Sequence, residues 1–267
     1  MSLRSTTRAL PTLLRVGFAD AVAYRAEMIV WVLATTMPLV MLGLWTAVAR
    51  DAPVGRYGEP QFQAYFLATF IVRQLTGSWA FWEMNFELRN GTLSMRLLRP
   101  VHPLLAYAAE GVAAMPMRVA VSIPVAVIAL ALVGPTGVNA KPLLWVVWAF
   151  SIVGAWLLTL MVNLLIGCAA FFFESSLKLM DLWLVFYFVL SGYLIPIDIF
   201  PTRLRSFVDW LPFRYQIGFP VELMTGSHAM PDALVLLARQ AAWIAIFLGA
   251  TRWAWRRGVA RFSAFGG

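Results

Sequence analysis

PLLWVVWAFSIVGAWLLTLMVNLLIGCAAFFF, residues 142–173, runs for 32 residues without a charged side chain. A helix that crosses a bilayer needs about 20 mostly apolar residues. This run exceeds that length, so it predicts a crossing helix that is tilted or extends past the bilayer. The remainder of the chain has the same character. Of its 267 residues, 61% belong to the AVILMFWYC set and only 13% are charged. A soluble domain is roughly half apolar and about a quarter charged, and a soluble fold of this length has too little interior for the excess. The mean hydropathy is +0.76. These values argue against a soluble globular enzyme and against a disordered chain. The single cysteine, Cys168, excludes an intrachain disulfide and a cysteine-built metal site.

Working outward from residues 142–173, other charge-poor runs supply five further spans. Met28 to Ala49 lies between Glu27 and Arg50, and Gln61 to Trp82 is broken once by Arg73. Val119 to Ala140 is useful as far as Val133, ahead of Gly134-Pro135. Leu182 to Ile197 is short and borrows a turn from Lys178 to Asp181; Ala233 to Thr251 contains Arg239. The expected fold is an all-α membrane protein with six transmembrane helices, at about 28–49, 61–82, 114–133, 143–173, 179–197 and 233–253. Residues 1–27 are expected to form a cytoplasmic amphipathic helix, and 28–267 the transmembrane domain. No cleavable signal peptide is expected, because the first apolar run is too long for one.

The net charge of +8 comes from 19 Arg and 2 Lys against 13 acidic residues. Six spans place both termini on one side, and 13 basic residues fall on that side against 6 on the other. The positive-inside rule then predicts cytoplasmic termini. Before the first span, Arg8 and Arg15 share one face of a helix over 5–25, with Leu14 opposite and Phe18 on the flank. Such a helix lies in the membrane interface, as an anchor or also as a contact for a cytoplasmic partner.

Between the second and third spans the sequence reads RNGTLSMRLLRPVHP, residues 89–103. Asn90-Gly91 signals a turn, Thr92 is placed to cap a helix over 93–99, and Pro100 stops it. Leu93 and Leu97 share a face, with Arg96 and Arg99 at the side. A short half-apolar helix in a cytoplasmic loop suits gripping by another protein, or resting on headgroups. Between the fifth and sixth spans, residues 191–231 are loop-length yet apolar and punctuated by Pro196, Pro201, Pro212 and Pro220. They predict one or two short helices that dip back toward the bilayer, or one lying flat on its outer surface.

The chain contains no P-loop, no H-E-x-x-H and no G-x-S-x-G. Its two histidines, His102 and His228, fall on opposite sides of the expected topology, so no shared metal site is expected. Arg73 lies midway along the second span, where a charge is costly and faces a bundle interior or water. It is either a pathway residue or a structural arginine paired with a carboxylate or helix-end carbonyls. Arg239 snorkels outward, and tryptophans near span ends form an aromatic belt.

Together these features resemble the permease subunits of bacterial type-2 ABC exporters, over essentially the whole chain. The resemblance rests on Gly91, Leu93, Leu97, Leu98, Arg99 and Pro100 in the 2–3 loop. In the 5–6 segment, LSGYLIPIDIFPTRLRSFVDWLPFRYQIGFPVELMTG, it rests on Ser191, Gly192, Pro196, Pro201, Leu211, Pro212, Phe213, Pro220 and Gly226. It implies export of a hydrophobic or amphipathic molecule by alternating access in the bacterial inner membrane. A glycan or glycolipid exporter and a non-transporting scaffold or sensor are the alternatives. It further implies two ABC ATPase partners that carry ATP and Mg, a second permease chain, no nucleic acid, and no catalysis or cofactor in this chain. Under the resemblance, Arg89, Gly91, Leu93, Arg96, Leu97, Arg99 and Pro100 belong to an ATPase-coupling helix, with Leu93 and Leu97 expected to carry most of the contact. Arg8, Leu14, Arg15 and Phe18 belong to the same interface. Arg73, Gly192, Pro196, Pro201, Phe207 and Pro212 are pathway or gate candidates.

Overall fold

The computed structural model describes residues 3–262 apart from 25, 27–28, 31–32, 34, 134–140 and 174–175. Among the described residues the chain is helical, with no strand beyond an isolated bridge between Val54 and Tyr57. In chain order the helices are α1 (Leu3–Ala23), α2 (Met37–Asp51), α3 (Glu59–Thr76), α4 (Ala80–Arg89), α5 (Leu93–Leu97) and α6 (Pro103–Val133). They continue with α7 (Pro142–Ala169), α8 (Ser176–Leu190), α9 (Thr202–Val208), α10 (Gly218–Met224) and α11 (Met230–Val259). Proline sits in the first turn of α2, α3, α7 and α11, where its missing N–H leaves no helical bond unmade.

Among the described residues three helices, α6, α7 and α11, are long and apolar enough to cross a membrane. The longest charge-free run does become the central helix: α7 packs along α11 and also touches α3, α4 and α10. Polar ties fix the α7–α11 register. Thr251 donates to the Met161 carbonyl at 3.1 Å, and Gln240 donates to those of Ser151 and Tyr215 at 3.0 and 2.9 Å. Between apolar helices such bonds are specific because few other polar partners compete.

The other expected spans differ in detail. The run at 61–82 is not one helix: α3 ends at Thr76, residues 77–79 are non-helical, and α4 begins at Ala80. Local chemistry favours the break. The Thr69 and Thr76 hydroxyls donate back to the carbonyls of Tyr65 and Val72, a pattern that loosens and bends helices. Arg118 then donates to the Gly77 carbonyl at 2.6 Å. The expected first span, 28–49, includes positions outside the described residues; of those described, Ile29, Val30 and Leu33 are helical, Thr35 and Thr36 are not, and α2 begins at Met37. The expected fifth span, 179–197, leaves the helix at Leu190. The helices α2 and α8 each have 15 residues. At about 1.5 Å per residue they rise less than the roughly 30 Å of a hydrocarbon core.

Three apolar cores organise the packing. One joins α2 and α3 to α8 and the 5–6 segment through Phe62, Tyr65, Phe66, Tyr187 and Phe213. A second joins α4, α5, the start of α6 and the ends of α7 and α11 through Met84, Leu93, Tyr107, Leu164 and Trp255. The third packs α10 between α7 and α11 through Phe219, Leu223, Leu158 and Leu236. The break at 77–79 falls between the first core and the second.

Candidate functional site

The 2–3 connection is held by one side chain. Arg96, almost fully buried, reaches from α5 back to α4 and across to α6. Its Nη2 donates to Glu83 and Glu87 at 2.6 Å each, its Nε bridges both oxygens of Glu87, and its Nη1 donates to Glu110 at 2.8 Å. The guanidinium also lies 4.1 Å over the Tyr107 ring, whose hydroxyl donates to Glu87 at 2.6 Å. Burial works against the Arg96 charge, but the bonds to Glu87 and the charges of Glu110 and Glu83 raise its pKa above the ordinary value. Three carboxylates around one arginine leave an excess of negative charge. Burial, with Glu110 alongside, pushes the Glu83 carboxyl up to about 8.

This box corrects the roles expected of two residues. Arg96 anchors the short helix and is not part of its outer face. Leu93 is 0% exposed and belongs to the second core, where a leucine contributes about 2 kcal/mol by leaving water. Leu97 is half-buried against the same core. An aspartate at either position would unseat the helix rather than probe a contact. The apolar groups facing outward are Phe86 (65% exposed), Met95 (66%) and Leu98 (83%). Arg99 and Pro100 are exposed beside them, and Arg89 is exposed with its Nε on Asn85. The helix spans 93–97 rather than 93–99, and the Thr92 hydroxyl makes no cap bond. Gly91 supplies the turn before it with φ +72°, a left-handed backbone that glycine adopts without steric cost.

The N-terminal helix meets this region. At Gly17, α1 crosses α6 so closely that a Cβ there would stand 2.8 Å from that of Ala113 and 3.6 Å from the Glu110 backbone. Glu110 is one of the carboxylates on Arg96, so α1 and α5 bear on the same turn of α6. Leu14 is half-buried, and Arg15 and Phe18 are exposed. The Arg8 side chain lies outside the described residues.

The 5–6 segment packs against the other core. It holds two short α-helices, α9 and α10, and α10 is almost wholly buried. Gly192, at φ +87°, turns the chain out of α8. The Tyr65 hydroxyl donates to its carbonyl at 2.8 Å, and Gly218 N–H donates to that of Ser191 at 2.8 Å. Asp198 ties the first connecting loop to this segment by pairing with Arg56, with Arg205 at 2.7 Å and with the Tyr57 hydroxyl at 3.1 Å. Inside the segment Arg214 pairs with Asp209 and, at 2.6 Å, with Glu222, which also meets His228 at 2.7 Å. Burial opposes ionisation of Glu222, but Arg214 and His228 outweigh it and hold the carboxyl at about 2. Pro196 and Pro212 are buried; Pro201 and Phe207 are exposed. Arg239 lies 4.3 Å over the Trp210 ring, a packed position rather than a free snorkel.

Arg73 sits in the last turn of α3 beside Tyr193, close to Arg118 across Gly77. Arg118 and the Glu83, Glu87 and Glu110 set carry no motif in the sequence. The i, i+4 spacing of Glu83 and Glu87 on one helix face, next to an arginine-rich loop, was the signal for the latter.

The family described as ABC-2 family transporter protein matches residues 57–266. No curated protein matches the chain. The matched stretch holds α3 to α11, and with them the Arg96 box, the break at Gly77 and the whole 5–6 segment. ABC-2 permeases are transmembrane transport components that work with ABC ATPase partners. With its all-helical fold and three long apolar helices, this chain is a multi-pass membrane protein that belongs to the ABC-2 transporter family.

Proposed function

We propose that the chain is the permease subunit of an ATP-driven exporter that moves a hydrophobic or amphipathic molecule out of the cytoplasm or inner leaflet. The observation that carries the proposal is the 2–3 connection. A five-residue helix is fixed from behind by Arg96 and Leu93, while the side chains of Met95 and Leu98 are left exposed and outward. A rigid base under an exposed apolar tip suits docking in a groove of an ATPase. The N-terminal helix α1 flanks it through α6. In this reading six membrane paths are formed by the region of α2, α3 with α4, α6, α7, α8 and α11, downstream of a cytoplasmic helix over 1–27. Both termini face the cytoplasm of a bacterial inner membrane, as the arginine distribution supports. Two permease chains face each other above two ATPases that bind ATP and Mg, and nucleotide shifts which side of their interface is open. The α9–α10 segment closes the outer end.

The test is coexpression with a cognate ATPase and assay of substrate-stimulated ATP hydrolysis. Met95→Asp with Leu98→Asp should leave insertion and unfolding temperature unchanged and abolish the stimulation. Full stimulation in that variant overturns the docking assignment.

A further inference from the structure

Among the described residues, two arginines within the apolar body of the chain have no acidic partner. Arg73 stands in the last turn of α3, and Arg118, 7% exposed, in the middle of α6. They meet at the break between α3 and α4. A Cβ on Gly77 would lie 3.0 Å from Arg73 Nη1 and 3.4 Å from Arg118 Nη1, so both guanidiniums close on the same bare face of the glycine. Arg118 Nη1 donates to the Gly77 carbonyl at 2.6 Å, whereas Arg73 Nε is buried without a partner. Among the described residues, neither guanidinium has a carboxylate within 4.0 Å. The α4 N-terminus, a site of partial positive charge, opens at Ala80 just beyond.

The Gly77 carbonyl, and the Tyr193 hydroxyl beside Arg73, answer only two of the ten N–H donors that two guanidiniums carry. Capping the end of α3 would need one arginine, not two of like charge. Taking each cation out of water costs several kcal/mol unless an anion answers it. The planar forks of two arginines match the oxygens of a phosphate or carboxylate. Both residues lie near the middle of their paths, where a small ion would arrive stripped of water but a charged head on a hydrocarbon chain would not arrive alone. We infer that Arg73 and Arg118 form an anion site that receives the phosphate or carboxylate group of an amphipathic molecule. Its place in the transport path rests on the exporter reading; its ability to bind does not.

The experiment uses the purified full-length permease in dodecyl maltoside, without ATPase, and follows thermal unfolding during titration with dodecyl phosphate, inorganic phosphate or dodecyltrimethylammonium. Dodecyl phosphate should raise Tm saturably. Arg73→Gln and Arg118→Gln should each weaken it at least about tenfold, and the double variant should abolish it. Equal protection by inorganic phosphate, lost in the same variants, supports the site with a free anion as its occupant. Undiminished protection in the double variant, or equal protection of the parent by dodecyltrimethylammonium, overturns it. Should the glutamine variants fail to fold, Gly77→Val keeps both charges while displacing the two guanidiniums that close on that position, and it must weaken dodecyl phosphate to the same degree. A chain that binds dodecyl phosphate through these arginines but never stimulates an ATPase refutes the exporter reading and leaves the site standing.

Discussion

Arg96 and Arg118 are both arginines, and both are more than nine-tenths buried. Their surroundings are opposite. Arg96 is ringed by Glu83, Glu87 and Glu110 and backed by an aromatic ring. Arg118 has a carbonyl and another arginine. Burial alone therefore does not distinguish a structural charge from a functional one; the partners do. The first arginine completes its site from within the chain and fixes a helix. The second is completed only by something from outside.

The largest effect expected from this contrast is at Arg96. Arg96→Met should destabilise the fold by roughly 3 kcal/mol, because it leaves three partly buried carboxylates without their cation. Thermal unfolding in detergent reads this, and an unchanged midpoint would make the box ornamental. Replacing Arg73 and Arg118 together by Met should have the opposite sign. Removing two unanswered charges should hold the midpoint within about 1 kcal/mol or raise it, and a collapse like that of Arg96→Met would erase the distinction.

A smaller effect is expected at Glu83. Its folded carboxyl, pushed up to about 8, binds a proton more tightly than the unfolded one. The associated stability is fully present below the ordinary carboxylate range and is lost as pH rises through about 8. The midpoint should therefore fall between pH 6 and 9, and Glu83→Gln should flatten that slope; a parallel slope in the variant would assign the titration elsewhere. The smallest effect is Leu98→Ser, within about 0.5 kcal/mol in stability for so exposed a side chain. It should still lower stimulated ATP hydrolysis, which separates the outer face of α5 from its anchored base.

The parts of this molecule legible in the sequence are those that follow from local patterning. The run at 142–173 predicted its helix because lipid and core both reward continuous apolarity. The turn at Gly91 follows from a residue with an unrestricted backbone. The orientation of α5 was not legible. Five residues make little more than one turn, so Leu93, Arg96 and Leu97 cannot be sorted into inner and outer faces without their distant partners Glu110 and Tyr107. The break at Gly77 was hidden for a similar reason. Its sequence is as apolar as its flanks, and the group that secures it, Arg118, lies 41 residues away. Arg73 was conspicuous as a lone charge in a span, but its pairing with a like charge exists only in three dimensions.

The interruption at 77–79 has a mechanical consequence. The α3 segment is bolted to the first core by Phe62, Tyr65 and Phe66, and α4 to the second by Met84 and Leu88. The α3–α4 unit is thus a jointed rod, while α7 beside it is one continuous beam. A torque applied through α5 turns α4 against that beam, and the non-helical residues at the joint can flex without tearing a ladder of helical hydrogen bonds. The two guanidiniums sit on the pin of that joint, so whatever they grip would be squeezed or released each time it bends.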